Sequence, residues 1–340
     1  MTKRRATRHR RVRYNPWSSP TYAESTTGDV IQGEDPVVRS AAVEALGPYN
    51  GSVVVVDPSS GRILTIVNQR LALQSGFQPC SIIKVPVAIA ALVEGIIDQS
   101  TAMRVYGRKR LTLTEALAHS DNPFFANLGN KLGFERFRHY AQMFGLGEKA
   151  GLDIDGEQPG MFPEEPPRNL NVGIMTSFGE GISLTPLQLA AMISAIANGG
   201  TLYYLQYPRS EQEVASLIPR VKRHLDIASW IPEIRPGMQA AVERGTARRA
   251  NYDPSQPILG KTGTCTDVRT HMGWFGSFNE VGKNKLAVVV MLTGGRGVSG
   301  PTAAGIAGNV YKLLSQHDFF ASAREITPAA LIGAGSCCGL

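Results

Sequence analysis

The sequence has few cysteines and lacks any spacing of cysteine and histidine that is typical of a metal site. Its four cysteines are Cys80, Cys265, Cys337 and Cys338, and none lies in a zinc-binding pattern. No HExxH motif occurs either, which excludes the commonest helical zinc site of hydrolases. We therefore expect a protein that works without a metal and without another cofactor.

Long apolar runs are also missing. The best candidate, residues 82–97, is interrupted by Lys84 and Glu94. It therefore falls short of the roughly eighteen uninterrupted apolar residues of a membrane-spanning helix. No apolar segment follows the basic residues near the start, as it would in a standard signal peptide. The sequence thus carries no recognisable signal for a membrane span or for export.

Net charge is absent from most of the chain. The formal charge of +7 comes from residues 1–14, which hold seven Lys and Arg and no acid, while the remainder has 28 residues of each sign. The folded part therefore gives no indication of nucleic-acid binding. The basic segment itself could contact nucleic acid, anionic lipid or a wall polymer, although short basic tails are usually just solvated.

The chain divides into three parts by composition and periodicity. Residues 1–40 mix charged, small and proline residues without periodicity, which predicts a disordered basic arm. Residues 41–318 carry helical and strand patterns and should form one folded domain. Residues 319–340 have no assignable pattern, and we interpret them as a flexible tail.

Strand patterns occur at both ends of this domain. GSVVVVDPSSGRILTIVN contains two β-branched runs around a turn, which predicts a hairpin. PILGKTGTC, HMGWFGSFN and KLAVVVMLTGG predict three further antiparallel strands. Helical patterns fill the region between. We therefore predict an α+β fold in which helices flank an antiparallel sheet of about five strands, with an inserted all-helical subdomain.

The chemistry centres on Ser81 and Lys84. They open the run SIIKVPVAIAALVEGII, whose apolar positions recur at helical spacing, so both side chains should share one face near a helix start. A buried lysine can lose its proton and activate a serine without any histidine. Taken alone the pair is weak evidence for catalysis, because Ser-x-x-Lys arises by chance about once in a chain of this length.

A second motif, Ser120-Asp121-Asn122, follows a predicted helix and precedes a proline, which makes a loop at Asn122 probable on steric grounds. In acyl transfer Ser120 could relay a proton to the leaving amine. Asn122 could hydrogen-bond Lys84 and an amide of the substrate. The alternative is an ordinary turn without a catalytic role.

A third motif, Lys261-Thr262-Gly263-Thr264, lies in a predicted strand. Lys261 and the hydroxyls of Thr262 and Thr264 suit a substrate carboxylate, and the backbone N–H groups of Ser81 and Thr264 would form an oxyanion hole. A phosphate-binding P-loop is excluded, because it would need glycine where Ser255 stands and a helix after the motif.

Together the three motifs resemble the set found in penicillin-binding proteins and class A β-lactamases. Their surroundings are more specific: TLTEALAHSDNPFF, SLTPLQLAAMISAIANGG, VERGTARRA and GKTGT followed by HMGWFGSF are similar to the transpeptidase domain of high-mass penicillin-binding proteins. The similarity runs from about Gly51 to Leu314. It implies a serine D,D-transpeptidase that attacks the terminal D-Ala-D-Ala of a peptidoglycan stem peptide through a Ser81 acyl-enzyme, in cell-wall cross-linking.

The same resemblance implies ligands and a location. Stem peptides and β-lactam antibiotics would be the ligands, other wall-synthesis proteins are conceivable partners, and the chain would act at the cell envelope, in the periplasm or on the outer face of the cytoplasmic membrane. It also implies that an amine of a neighbouring stem, or water, resolves the acyl-enzyme.

Two other functions are compatible with the motifs. A class A-like β-lactamase or a D,D-carboxypeptidase would hydrolyse the acyl-enzyme, and Glu165-Pro166-Pro167-Arg168-Asn169 resembles the Glu and Asn spacing of the lactamase loop. A proline-rich acidic surface loop is the competing interpretation. A non-enzymatic penicillin-binding sensor or wall-enzyme partner would keep the fold without turnover, but the complete motif set argues against it.

The resemblance also bears on Cys80 and Cys265, which correspond to the two positions joined by a disulfide in class A carbapenemases. They could form that bond, or both could be small buried residues beside the site. His119 is interpreted as a helix-end residue rather than a base. Trp274 and Phe275 should pack the sheet.

Overall fold

The computed structural model describes residues 19–74, 76–250, 253, 255–267 and 270–321. Within these residues the chain forms ten α-helices, nine β-strands and two short 3₁₀ turns. Among the helices described, none is both long enough and apolar enough to cross a bilayer.

The elements have the following bounds. The strands are β1 (Gly51–Asp57), β2 (Arg62–Val67), β3 (Met103–Tyr106), β4 (Lys109–Leu111), β5 (Thr201–Tyr203), β6 (Val221–His224), β7 (Ile258–Thr266), β8 (His271–Asn279) and β9 (Ala287–Gly294). The helices are α1 (Pro36–Leu46), α2 (Gln69–Leu73), α3 (Lys84–Val93), α4 (Leu113–Ala118), α5 (Asn122–Met143), α6 (Val172–Phe178), α7 (Pro186–Ala197), α8 (Glu211–Ala215), α9 (Ile231–Glu243) and α10 (Gly300–Gln316).

Five strands form one antiparallel sheet in the order β2-β1-β9-β8-β7. The predicted hairpin therefore joins the three C-terminal strands through β1 and β9. The five-stranded antiparallel sheet with its flanking helices confirms the predicted α+β fold class. The inserted region is largely helical but also holds two small two-stranded sheets, β3-β4 and β5-β6. Their short strands carry too few alternating residues to be recognised in the sequence.

Both faces of the sheet are covered, which explains why β1 and β9 are almost continuously apolar. Val53 and Val55 belong to a core shared with α1 and α10. Val54 and Val56 belong to a second, larger core on the opposite face, built with α3, α5 and α7. The two cores hold β7 and β8 between helical layers, and the side chains of the three motifs lie at that edge of the sheet.

The structure differs from the expected disordered arm over residues 19–40. Helix α1 begins inside that range, with the Asp35 carboxylate accepting hydrogen bonds from the backbone of its first turn. Arg39 forms an ion pair with Asp29 at 2.7 Å and donates a hydrogen bond to the carbonyl of Ile66 at 2.8 Å. These contacts join residues distant in sequence, so no local pattern indicates them. Residues 1–18 of the predicted arm lie outside the described residues.

The predicted tail differs in a similar way at its start. Phe319 and Phe320 are buried, and the ring of Phe320 stacks on that of Tyr311 at a centroid distance of 6.3 Å. The remainder of that range, residues 322–340, lies outside the described residues and includes Cys337 and Cys338.

Candidate active site

Ser81 lies in a 3₁₀ turn, Cys80–Ile83, that leads directly into α3. The sequence predicted that Ser81 and Lys84 share one side of a helix start. In the structure Lys84 Nζ lies 3.0 Å from Ser81 Oγ, across this tight turn. Ser81 is partly exposed, whereas Lys84 is fully buried. The pair therefore presents a hydroxyl to solvent with an amine directly behind it.

The amine of Lys84 has three further polar partners. Its Nζ lies 2.6 Å from Asn122 Oδ1, and 2.7 Å and 3.1 Å from the carbonyl oxygen and the Oγ of Ser120. Burial lowers the pKa of Lys84 to about 7, and the Asp121 carboxylate opposes this by favouring the charged form. Lys84 can therefore be a free amine near neutral pH, as a base for Ser81 must be.

The loop that carries Ser120 is short because α4 and α5 almost meet. Helix α4 ends at Ala118, and the ring of the capping residue His119 forms an i,i+4 pair with Glu115, as expected of a residue at a helix end. Ser120 has a left-handed φ of 55°, and Asp121 then caps α5 by accepting a hydrogen bond from Phe124 N–H at 2.8 Å. The sequence predicted a loop that includes Asn122, but Asn122 is already the first residue of α5.

Lys261 approaches the same hydroxyl from the other side of the cleft. It is fully buried in β7, and its Nζ lies 2.8 Å from Ser120 Oγ. Burial lowers the pKa of Lys261 well below its usual value, and the nearby charge of Lys84 lowers it further. One serine hydroxyl therefore bridges two buried lysines.

The strand β7 lies close against the turn that carries Ser81. A Cβ atom at Gly263 would be 2.9 Å from the carbonyl oxygen of Pro79, so only glycine allows this approach. The hydroxyl of Thr264 accepts a hydrogen bond from the N–H of Gly300 at 2.7 Å, at the start of α10. Because β7 pairs only with β8 among the described strands, its outer edge can receive an extended peptide.

One residue at the site was not found by sequence analysis. The hydroxyl of Thr246 lies 2.6 Å from that of Thr262, and its N–H donates to the carbonyl of Ala118 at 3.0 Å. Thr246 therefore connects the end of α4 to the third motif. It lies in VERGTARRA, just beyond the end of α9 at Glu243. The Gly-Thr pair that follows the apolar run was the available signal for this helix end.

Cys80 and Cys265 form a disulfide with a Cα–Cα distance of 5.5 Å. Of the two alternatives left open by the sequence, the structure therefore has the bond. Cys80 directly precedes Ser81 and has a left-handed φ of 53°, and Cys265 directly follows Thr264. The bond thus joins the turn that carries Ser81 to the end of β7 within one residue of each motif.

Removing this disulfide should destabilise the protein. The bond closes a loop with a sequence separation of 185 residues. We expect Cys80→Ala/Cys265→Ala to lower the free energy of unfolding by about 2–5 kcal/mol, measured by denaturant titration. Ser59→Ala/Ser100→Ala, which changes two exposed residues far from the bond in sequence, is the control and should leave it nearly unchanged. Equal stability of both variants would contradict a stabilising role.

The candidate lactamase residue lies apart from this cluster. Glu165 is exposed, in the loop before α6, and no hydrogen bond or ion pair joins it to Ser81 or Lys84 within the described part of the chain. Nor does any group of three or more His, Cys, Asp or Glu in that part form a possible metal site.

Trp274 and Phe275 are fully buried in β8, as predicted, and Trp274 Nε1 donates to the carbonyl of Gln78 at 3.0 Å.

The arrangement of a serine, two lysines and an edge strand can be compared with known proteins. The family described as "Penicillin binding protein transpeptidase domain" matches residues 51–312. The chain belongs to this family. The match spans both strand groups and all three motifs, so it covers the whole sheet and the inserted region.

Several curated proteins are similar over most of this chain. Stage V sporulation protein D of Bacillus subtilis is 29% identical over 314 residues, covering 79% of this chain and 48% of that protein. Penicillin-binding protein PbpB of Mycolicibacterium smegmatis is 25% identical and covers 74% of this chain and 45% of its own length. The peptidoglycan D,D-transpeptidase MrdA of Escherichia coli is also 25% identical, covering 65% and 40%. The chain therefore spans about half the length of these penicillin-binding relatives, or less.

Solved structures agree on the fold. PBP2 of Pseudomonas aeruginosa, crystallised in complex with WCK 5153, superposes with a TM-score of 0.71 over 83% of this chain and 77% of that one. The sequence identity of the pair is 24%. Penicillin-binding protein 3 of Mycobacterium tuberculosis superposes with a TM-score of 0.68 and 23% identity, covering 83% and 77%. At this identity the likeness concerns the fold alone.

Proposed function

We propose that this penicillin-binding family member is a serine D,D-transpeptidase that cross-links peptidoglycan stem peptides. The observation that carries the proposal is the contact between Ser81 Oγ and the buried amine of Lys84 at 3.0 Å, beside an edge strand that holds a second buried lysine. Relatives named peptidoglycan D,D-transpeptidase support the reaction class.

In the acylation step Ser81 Oγ attacks the carbonyl carbon of the penultimate D-Ala. Lys84 Nζ takes the hydroxyl proton, the carbonyl oxygen becomes an oxyanion, and backbone N–H groups of Ser81 and Thr264 stabilise it. The C–N bond then breaks. Ser120 lies within hydrogen-bond reach of Lys84 and can pass the proton to the departing amine.

The substrate would lie along the outer edge of β7. Its terminal carboxylate would be held by the hydroxyls of Thr262 and Thr264 and by the charge of Lys261. Asn122, whose Oδ1 accepts from Lys84 at 2.6 Å, would donate its amide N–H to the substrate backbone. An amine of a second stem peptide then attacks the ester and releases Ser81.

The location and partners follow from this role. Peptidoglycan stem peptides are found outside the cytoplasmic membrane, so the chain would act in the periplasm or on the outer membrane face, and β-lactams would acylate Ser81. The Cys80–Cys265 disulfide supports an oxidising compartment. Other wall-synthesis proteins are proposed partners.

The lifetime of the penicillin adduct tests the proposal. Intact mass of the purified protein, followed for several hours after mixing with penicillin, should show one stable adduct per chain, because no carboxylate among the described residues forms a hydrogen bond or ion pair with Ser81 or Lys84 to activate a water.

Rapid return to the free mass with consumption of the drug would instead indicate a β-lactamase. Glu165→Gln would then show whether Glu165 activates the water, because the variant should return to the free mass more slowly if it does. Complete absence of an adduct would contradict the proposed function.

A further inference from the structure

The small hairpin of β3 and β4 concentrates positive charge. It holds four cations within nine residues, and all four side chains are exposed: Arg104, Arg108, Lys109 and Arg110. No acidic residue occurs between Asp98 and Glu115. Within the described part of the chain, no carboxylate forms an ion pair with any of the four. The hairpin therefore differs from the rest of the chain beyond residue 14, which is neutral overall.

This hairpin lies beside the loop of the second motif. Strand β3 packs on α5, and the side chain of Asn127 donates to the carbonyl of Arg104 at 3.4 Å. Helix α5 begins at Asn122, whose Oδ1 accepts a hydrogen bond from Lys84 Nζ at 2.6 Å. One helix therefore contacts both the hairpin and the amine behind Ser81.

The hairpin is held in place rather than loosely attached. Met103 and Leu111, at its two ends, are buried in the larger core. The guanidinium of Arg104 donates to the carbonyl of Gly107 at 2.5 Å, and that of Arg110 donates to the carbonyl of Ala102. Two of the cations thus stabilise the hairpin itself and fix the other two at its turn.

The two cations at the turn have few contacts of their own. Lys109 Nζ lies 3.1 Å from the hydroxyl of Tyr106 and 5.3 Å from the centre of its ring, and no hydrogen bond or ion pair is formed by the side chain of Arg108 with the described residues. Neighbouring like charges repel one another, so the pair of Arg108 and Lys109 does not stabilise the fold through its charge. This pair is suited to an anionic ligand that arrives from solvent.

We infer that the β3-β4 hairpin binds the carboxylates of the acyl-acceptor peptide, an inference that rests on the proposed transpeptidase function. The donor peptide would occupy the edge of β7, which leaves for the acceptor the side of Ser81 formed by the second-motif loop and α5, the helix on which the hairpin packs. An acceptor stem carries a free amine together with carboxylates, and a cationic hairpin on this side of the site would complement those carboxylates.

The β3-β4 hairpin would assist the transfer of the acyl group from Ser81 to the acceptor amine. The acceptor amine attacks the ester carbonyl, a C–N bond forms, and the C–O bond to Ser81 breaks. Lys84 accepts one proton from the amine nitrogen and returns it to Ser81 Oγ. Binding the carboxylates at the hairpin would raise the local concentration of the amine and favour aminolysis over hydrolysis.

The test compares two acceptors in wild type and in Arg108→Gln/Lys109→Gln. One acceptor is a synthetic peptide with a single free amine and two carboxylates, and the other is the same peptide with both carboxylates amidated. With a D-Ala-D-Ala donor, mass spectrometry gives the ratio of aminolysis to hydrolysis. We expect the variant to lose about fivefold of this ratio for the acidic acceptor and none for the amidated one.

The matched control is Arg220→Gln/Lys283→Gln, which removes two exposed cations beside β6 and in the β8-β9 turn and should change neither ratio. Equal effects on both acceptors, no effect on either, or loss of penicillin acylation in the hairpin variant would each overturn the inference. If wild type itself showed no acylation by penicillin, or no aminolysis of the donor ester, the proposed function would be refuted.

Discussion

Ser81→Ala is expected to abolish covalent labelling by a fluorescent penicillin. The reason is chemical: alanine has no oxygen to form the acyl ester, and the hydroxyl nearest to it, that of Ser120, is bound by both Lys84 and Lys261. Ser81 is partly exposed, so its hydroxyl can be removed with little change in packing. Gel fluorescence and intact mass would both measure the loss.

The control for this variant is Ser59→Ala, which removes an exposed hydroxyl from the β1-β2 turn and should label normally. Thermal unfolding of both variants would verify that they are folded. Labelling of a folded Ser81→Ala protein would exclude Ser81 as the nucleophile.

Lys84→Arg is the second variant with a large expected effect. Arginine keeps the positive charge but cannot be deprotonated in proteins, so it cannot accept the proton of Ser81. We expect the second-order rate of penicillin acylation to fall by about 10²–10⁴-fold, which is the usual contribution of a general base. Lys131→Arg, an exposed substitution on α5, is the matched control.

The pH dependence of the wild-type enzyme tests the same role without a mutation. Because burial lowers the pKa of Lys84 to about 7, its amine is protonated below that pH and free above it. The acylation rate should therefore increase as pH rises through 7 and level off beyond it. A rate that is independent of pH across this range would contradict Lys84 as the base, even if Lys84→Arg failed to fold.

Much of the fold could be predicted because its signals are local. The alternating and β-branched runs of β1, β2, β7, β8 and β9 lie within single segments, and short, mostly polar segments separate neighbouring strands of each group. The packing of residues 19–35 could not be predicted, since Asp29 and Glu34 are bound by groups on β2, α1 and beyond rather than by sequence neighbours. The strands of the basic hairpin are too short to show periodicity.

The candidate site likewise combines residues that the sequence identified with a contact that it did not. The motifs named Ser81, Lys84, Ser120, Asn122 and Lys261, and the structure brings their side chains within hydrogen-bond distance of one another in pairs. The pairing of the Thr246 and Thr262 hydroxyls depends on where α9 ends relative to β7. That relation is set by tertiary packing, and no spacing in the sequence encodes it.

Because the hydroxyl of Ser120 lies between two buried amines, substrate binding should change the number of protons that the two lysines hold. Among the described residues no carboxylate contacts either amine directly, so two protonated lysines that share this one hydroxyl would repel each other, which favours a single proton on the pair. A substrate carboxylate placed beside Lys261 would compensate the second charge and raise the proton affinity of the site. Association with an anionic ligand would then take up a fraction of a proton from solvent, so the apparent affinity would weaken as the medium becomes more alkaline, in the opposite direction to the chemical step.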